Sequence, residues 1–494
     1  MSIQSALNTA LTSLNVLSQQ TSVISNNIAN ANTNGYVQED LPQSALVYGG
    51  VGAGVTAGQV QRLADESAAA SANQANSASA YSQQMVSVLT NYTNVLGQAT
   101  DSSSLPSVLS AFDTALTTLS NTPGDATAQS QAVAAAQTVA STFNGLSSAI
   151  QTAREQADQG IASGVNDVNS ILGQLSQNQA AMLSASAQGQ STASYQNTQD
   201  KLLSQLSNDL PIKVTQDGSS GIMVSTDEGT TLLDGTTTYN LSFTPTPDIP
   251  NSMQVTADPS TGMTSGLSQV TVNGQPIQMS DSGSIAANLQ LRDVTLPAFA
   301  NQLDQTASNL IIAFQQEDPT TATSGGASLF TVANGAALTP GDPAQVTGVA
   351  GSIEVNPAFV SSEGGQSWKI SAGGQATAPG GASDNTTVLA YIGALSTSES
   401  YDTSSGLPAS MSVLDASTQL AGLQQSALTN WTSTNTNNTS QAQAAQTALS
   451  NATGVSVDDQ MQRLLIVQQT YAASAQVIET ASSMLNSFLT TIQQ

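Results

Sequence analysis

The chain has 494 residues, and 7 lysines and arginines against 33 aspartates and glutamates give it a formal net charge of −26. It contains no cysteine and no histidine, which excludes disulfides, thiolate metal sites and catalytic relays built on an imidazole base. The negative charge argues against nucleic acid and anionic membranes as partners, because both are bound through lysine and arginine. Catalysis would have to rest on carboxylate, tyrosine, lysine or serine side chains alone, and no catalytic, cofactor-binding or metal-binding residue stands out.

No segment of the sequence is typical of membrane insertion or of a cleaved signal. The longest strongly apolar run, Leu464–Val467, is far too short to span a bilayer. The amino terminus lacks both a basic start and an apolar signal core. We therefore expect no membrane insertion.

The first predicted element is a helix over residues 1–33 whose apolar residues recur in steps of three and four, apart from Thr21. The residues of this seam are Ile3, Leu7, Ala10, Leu14, Leu17, Ile24, Ile28 and Ala31. Residues 1–38 contain no charged side chain, whereas ordinary surface helices carry charge on the outer face. The pattern predicts a helix buried on several sides by other protein.

A glycine-rich segment follows, with Gly50, Gly52 and Gly54 at alternate positions. We interpret it as a loop, not as a dinucleotide-binding fingerprint, because no βαβ unit follows. Residues 105–120 then predict a helix, with Pro106 tolerated in its first turn and Asn121–Gly124 ending it. Long helices rich in alanine, glutamine and serine are expected to about residue 208.

The middle of the chain changes character twice. From Pro211 to about residue 282, short apolar segments alternate with Asp-Gly and Asn-Gly pairs, which predicts β-hairpins. Residues 285–316 predict a helix. Residues 318–394 are rich in glycine and threonine, which predicts β or irregular structure. A further helix is predicted to begin near residue 411. The last helix is predicted over 457–492, with a seven-residue repeat of apolar residues: Leu464, Tyr471, Ile478, Leu485 and Ile492.

The predicted fold class is mainly α with inserted β structure: an elongated helical stalk built from both chain ends, with a β-rich insert in the middle. Residues 1–61 and 452–494 form a terminal, coiled-coil-like domain. Residues 62–210, 283–317 and 395–451 form a helical bundle. Residues 211–282 are a β-rich insert, and 318–394 a β or irregular insert. We predict that both seams form the assembly interface, through Ile3, Leu7, Leu14, Leu17, Ile24, Ile28, Leu464, Tyr471, Ile478, Leu485 and Ile492.

The end of the first helix carries an unbroken motif, Asn-Asn-Ile-Ala-Asn-x-Asn-Thr-x-Gly-Tyr. Its defining residues are Asn26, Asn27, Asn30, Asn32, Thr33, Gly35 and Tyr36. The motif resembles the signature of the flagellar rod, hook and hook-associated protein family. The stretches Leu105–Pro123, Val133–Asn144 and Leu291–Asp304, with Gly454–Leu489, are similar to its hook-associated members.

The resemblance implies a structural, non-enzymatic subunit of the bacterial flagellum. It would join hook to filament, leave the cell through the flagellar type III apparatus and polymerise at the extracellular junction. Implied partners are further copies of the chain, the hook protein, a second hook-associated protein on the filament side, and an export chaperone that binds about residues 452–494.

Three alternatives stay open at this point. A hook or distal-rod protein shares both terminal signatures, although the long helices at 105–208 argue against it. A secreted acidic adhesin would bind ligands through its β regions. A carboxylate-dependent hydrolase would need two paired carboxylates in a cleft, and no pair stands out in the sequence.

Overall fold

A computed structural model of the protein describes residues 3–33, 35–48, 50–217, 221–250, 267–322, 326–333, 336–339 and 345–492. Most of these residues are helical. The helices are α1 (Ile3–Asn30), α2 (Glu66–Leu96), α3 (Leu105–Asn121), α4 (Ala126–Ala187), α5 (Ala193–Asp209), α6 (Ser284–Gln290), α7 (Leu296–Glu317), α8 (Val349–Ser352), α9 (Lys369–Ala372), α10 (Thr386–Ser396), α11 (Val413–Thr453) and α12 (Val457–Ile492). A π-helical turn, Leu291–Thr295, joins α6 to α7. With 62 residues, α4 is about 93 Å long at about 1.5 Å per residue.

The strands are short and form small antiparallel sheets. They are β1 (Glu39–Asp40), β2 (Gln43–Tyr48), β3 (Val51–Ala57), β4 (Gln61–Arg62), β5 (Ile212–Asp217), β6 (Gly221–Thr226), β7 (Thr231–Asp234), β8 (Thr237–Thr238), β9 (Leu241–Ser242), β10 (Thr271–Val272), β11 (Gln275–Pro276), β12 (Phe330–Val332), β13 (Ile353–Val355), β14 (Ser398–Ser400) and β15 (Ser410–Ser412). β5 to β8 pair in chain order, β10 lies between β9 and β11, and the pairs β1–β4, β2–β3, β12–β13 and β14–β15 stand alone.

The bundle is held together by one large apolar core. Phe112 of α3, Phe314 of α7, Phe330 of β12 and Tyr391 of α10 meet there, with Phe314 lying 4.9 Å from Tyr391 and 5.1 Å from Phe330 between ring centroids. All four side chains are fully buried. Such aromatic contacts add about 0.5–1.5 kcal/mol each beyond the area they bury. The core therefore takes in residues from 318–394 as well as from the bundle helices.

The β region is attached to the bundle through a buried charge cluster. Arg292, in the π-helical turn, donates to Asp158 of α4 at 2.7 Å and to Asp293 at 2.7 Å. Its Nη2 also donates to the carbonyl of Ser268 at 3.0 Å, and Asp158 accepts from the backbone N–H of Thr246 at 2.7 Å. Because these ions lie out of water, removing either partner is costly, which fixes the β region on α4.

The predicted fold class is confirmed, since long helices carry separate small sheets in the middle of the chain. The predicted helices at 105–120, 285–316 and 457–492 correspond to α3, to α6–α7 and to α12. The predicted Asn-Gly turn is present between β10 and β11, with φ of 52° at Asn273 and 76° at Gly274. Gly218 of the predicted Asp217-Gly218 turn lies outside the described ranges, and so does Asn34.

Two predictions were wrong in part. Within 318–394, Thr386–Ser396 is the helix α10 and not β or irregular structure, because its apolar run packs on α3 and α7 inside the main core. The glycine-rich segment is not a loop but the hairpin β2–β3, which lies on α1.

Candidate assembly surface of the terminal helices

α1 and α12 form an antiparallel pair with a small core. Ser13 Oγ lies 3.2 Å from Ser474 Oγ near one end, and Asn27 donates to Gln460 at 3.2 Å near the other. Between these contacts Leu17 and Ile24 of α1 bury Val467 of α12, with Ile28 and Leu464 partly buried beside them. Three buried apolar side chains contribute on the order of 6 kcal/mol, whereas ordering each backbone residue costs about 1–2 kcal/mol. The pair therefore gains little from its own contacts.

The motif residue Asn27 is the hydrogen-bonding centre of this region. Its Nδ2 donates to the Glu39 carbonyl at 2.8 Å and to Gln460 Oε1 at 3.2 Å. Its Oδ1 accepts from Tyr36 Oη and from Glu39 N, both at 2.9 Å. Burial, and then the nearby Glu39 carboxylate, raise the pKa of Tyr36 to about 12, so its hydroxyl stays a neutral donor. One amide thus joins α1, the turn after it, β1 and α12.

The other motif residues shape the turn or face solvent. Gly35 has a φ of 80°, which favours glycine. Asn30 donates to the Asn26 carbonyl at 3.0 Å and accepts from Thr33 Oγ1 at 3.3 Å. The side chains of Asn26 and Asn32 are exposed.

Ion pairs connect the short strands after α1 to the bundle and to α12. Arg62 of β4 is bonded to Asp200 of α5, and Arg463 of α12 donates to Asp40 of β1 at 3.2 Å. Burial raises the pKa of Glu39, and the guanidinium of Arg62 opposes that shift. The backbone N–H of Gln38 donates to the Thr453 carbonyl at 2.8 Å, which ties the turn to the end of α11.

The outer faces of α12 leave many apolar side chains in solvent. Those exposed are Val457, Met461, Leu465, Ile466, Tyr471, Val477, Met484, Leu485, Phe488 and Leu489. On α1, Leu11 is half exposed. A run of large exposed apolar residues along one helix is typical of a surface that another protein covers.

The predicted interface residues divide into three groups. Leu17 and Ile24 are buried against Val467 of the same chain, so they serve the seam inside the chain and are not free for a neighbour. Leu7, Leu14, Ile28, Leu464 and Ile478 are half-buried, whereas Ile3, Tyr471 and Leu485 are exposed. The side chain of Ile492 lies outside the described residues.

Sequence reasoning missed one stripe of α12 residues that faces α1. Gln460, Val467, Ser474 and Ala481 contact or bury against α1 and are spaced seven apart, like the predicted stripe that starts at Leu464. A repeat with polar and small members gives a weak hydrophobic signal, although the common spacing was visible in the sequence.

Within the described ranges, no group of three or more aspartates and glutamates is arranged to hold a metal ion. In the same part of the chain, the helices are all too short or too polar to cross a membrane.

Three family models match the chain. The model described as flagellar hook-associated protein FlgK helical domain matches residues 89–330. The flagella basal body rod protein model matches 7–36, which holds the asparagine-rich motif, and the flagellar basal body rod FlgEFG protein C-terminal model matches 445–492.

Curated relatives carry the name flagellar hook-associated protein 1. The one from Bacillus subtilis (strain 168) is 27% identical over 394 residues, covering 72% of this chain and 75% of that protein. The one from Salmonella typhimurium (strain LT2) is 25% identical over 327 residues, covering 64% of this chain and 56% of that protein. The chain thus matches little more than half the length of the Salmonella relative. A solved structure of the flagellar hook junction protein FlgK from Burkholderia pseudomallei aligns at 22% identity with a TM-score of 0.43, over 53% of this chain and 46% of that one.

Proposed function

Because the chain belongs to the FlgK family of flagellar hook-associated proteins, we propose that it joins hook to filament at the extracellular junction. The family assigns it a structural role in the flagellum, together with other flagellar components. In the proposed mechanism, the subunit is exported through the flagellar type III apparatus and then self-assembles through α1 and α12. The terminal domain of 1–61 and 452–494 is the assembling part, and the bundle with its two inserts lies outside it.

The observation that carries this proposal is the apolar surface of α12. Its exposed side chains find no cover within the described chain, and each contributes about 1.5–3 kcal/mol when fully buried by a neighbour. The surface of α1 adds no charge to oppose such packing, since residues 1–38 contain none. A subunit with these ends is stabilised by its neighbours more than by its own terminal core.

The proposed partners are those that the family resemblance implies. Copies of the chain, the hook protein and a filament-side hook-associated protein would cover the apolar surface of α12 in the proposed junction. Before export, a chaperone that binds about residues 452–494 would cover the same side chains and keep them from aggregating.

Genetic deletion tests the proposal directly. Cells without this chain should keep their hooks, lose filaments and shed flagellin into the medium. Filaments that form normally in such cells would overturn the junction role.

A charge placed on the surface tests the assembly step. Leu485→Asp buries a carboxylate at the contact and should abolish incorporation while the variant is still secreted. Asn486→Asp, on the next exposed position, adds the same charge on another face and should incorporate normally. Normal junctions built from the Leu485 variant would contradict the use of this face.

A further inference from the structure

The hairpin β2–β3 carries two exposed apolar side chains. Leu46 and Val47 are exposed by 41% and 58%. Leu46 lies opposite Gly54 and Val47 opposite Gly52, so neither has a cross-strand side chain to cover it. The register shift between them is a bulge, which bends the strand and redirects its side chains. We call Leu46 and Val47 the knob.

The hairpin β2–β3 has open strand edges that no charged side chain protects. β2 and β3 pair only with each other among the described strands, so each has an open edge. Proteins usually protect such edges with charged residues, but residues 41–60 contain none.

An apolar groove lies between the start of α1 and the second half of α12. Its volume is about 530 Å³. It is lined by Ile3, Ala6, Ala473, Gln476, Val477, Thr480, Ala481 and Met484. The alanines leave room beside the larger residues, and none of the described lining residues is charged. Its volume lies within the range of pockets that bind ligands or side chains.

The knob cannot reach the groove of its own chain. Two hydrogen bonds hold the hairpin on α1: Thr12 Oγ1 accepts from the Val55 backbone N–H at 3.4 Å, and Gln20 Oε1 accepts from Gln43 Nε2 at 2.7 Å. At Gly54 a Cβ would lie 2.1 Å from Thr12 Oγ1, so the hairpin lies directly against the helix there. Ala6 and Thr12 are about 120° apart around the helix axis. Knob and groove therefore occupy different sides of α1.

We propose that the knob of one copy packs into the groove of a second copy of this chain. Two chains of net charge −26 repel each other, so they meet most favourably through uncharged surfaces, and both the knob and the groove are uncharged. Since the two surfaces differ, the contact is head-to-tail, and repeating it generates a ring or a helix. This inference rests on the proposed self-assembly and names a contact within it.

Cysteine crosslinking in assembled flagella tests the contact, and the native chain has no cysteine to interfere. The full-length chain with Val47→Cys and Val477→Cys is treated with a short bismaleimide. We expect dimers and a ladder of higher species from the double variant and none from either single variant. Val95→Cys with Val477→Cys, which pairs the groove with an exposed position on α2, should give none.

The outcomes separate this contact from the proposed function. Normal motility without a 47–477 product overturns the knob-and-groove contact and leaves the junction role intact. Dimers from Val47→Cys alone indicate hairpin-to-hairpin pairing, and a product with another protein indicates a different occupant; either overturns the proposal. If instead the wild-type chain is not found at the hook–filament junction, the proposed function itself is wrong.

A charge substitution gives a second readout that needs no crosslink. Val47→Asp should abolish incorporation while secretion is retained. Ser44→Asp adds the same charge at an exposed position nearer the start of β2, and this variant should incorporate normally. Equal incorporation of the two variants would overturn the contact.

Discussion

α7 and α12 are both apolar-patterned helices, of 22 and 36 residues, but they use their apolar residues in opposite ways. α7 buries Leu303, Leu310 and Phe314 completely among the other bundle helices. α12 buries Val467 and Ala481 and leaves most of its larger apolar side chains in solvent. The bundle is thus complete within one chain, whereas the terminal pair lacks part of its core until other molecules supply it.

The largest expected difference between the two regions is the cost of truncating a buried leucine. Leu310→Ala should lower the free energy of unfolding by about 2–5 kcal/mol, because it leaves a cavity in a fully buried core. Leu17→Ala, at a comparably buried leucine of α1, should change it far less, because the terminal pair opens locally before the bundle unfolds. Urea unfolding followed by circular dichroism measures both. Equal losses of unfolding free energy in the two variants would show that the two regions do not differ in this way.

The burial of one carboxyl group in the bundle core predicts an unusual pH dependence of stability. Asp304 of α7 accepts from the backbone N–H groups of Gly348 and Ala350 at 2.7 and 2.9 Å, and burial raises its pKa to about 6 despite these bonds. The folded state therefore holds a proton on Asp304 that the unfolded state releases above about pH 4. The contribution of Asp304 to the free energy of unfolding is fully present below about pH 4, and it is lost as the pH rises through about 6.

We therefore expect the free energy of unfolding of the bundle to be higher at pH 5 than at pH 7, by about 1 kcal/mol from this group. Urea midpoints at the two pH values measure the difference. Asp304→Asn should remove this share of the pH dependence, even though the amide offers one acceptor fewer. An unchanged pH slope in that variant would contradict the assignment to Asp304.

A local effect is expected in the terminal domain. Asn27→Ala leaves Tyr36, Gln460 and the Glu39 backbone without their shared partner and should cost about 1–3 kcal/mol. Amide hydrogen exchange should show faster exchange in α1 and α12 and an unchanged bundle. Asn26→Ala, at the exposed neighbour, is the matched control and should leave exchange unaltered; faster exchange in the bundle would mean that the two regions are not independent.

The sequence was sufficient to predict elements whose local signals agree. α12 begins after Ser456, which accepts from Asp459 N at 3.4 Å, and its apolar repeat continues to the predicted end. Which stripe of that repeat faces α1 could not be predicted. Seven-residue stripes drift by about 20° per repeat on a straight helix. The choice between the stripes of Leu464 and of Val467 therefore depends on the partner helix.

The missed elements depend on distant contacts. α10 was missed because its short apolar run, Val388–Leu395, reads equally as a buried strand or a buried helix. The hairpin at 43–57 was missed because its glycines weaken the strand pattern, while its position depends on Thr12 and Gln20 of α1. The role of Asn27 was anticipated only as part of a motif; its partner Gln460 lies at the other end of the chain.

That bond between Asn27 and Gln460 closes a loop of 433 positions. Synthesis proceeds from the amino terminus, so α1 is complete long before α12 exists beside it. Closing so wide a loop is entropically costly unless the intervening segments are already compact. α1 and α12 can then meet only late, after the bundle has folded. A chain shortened at its carboxyl end would leave α1 without the helix that packs against it.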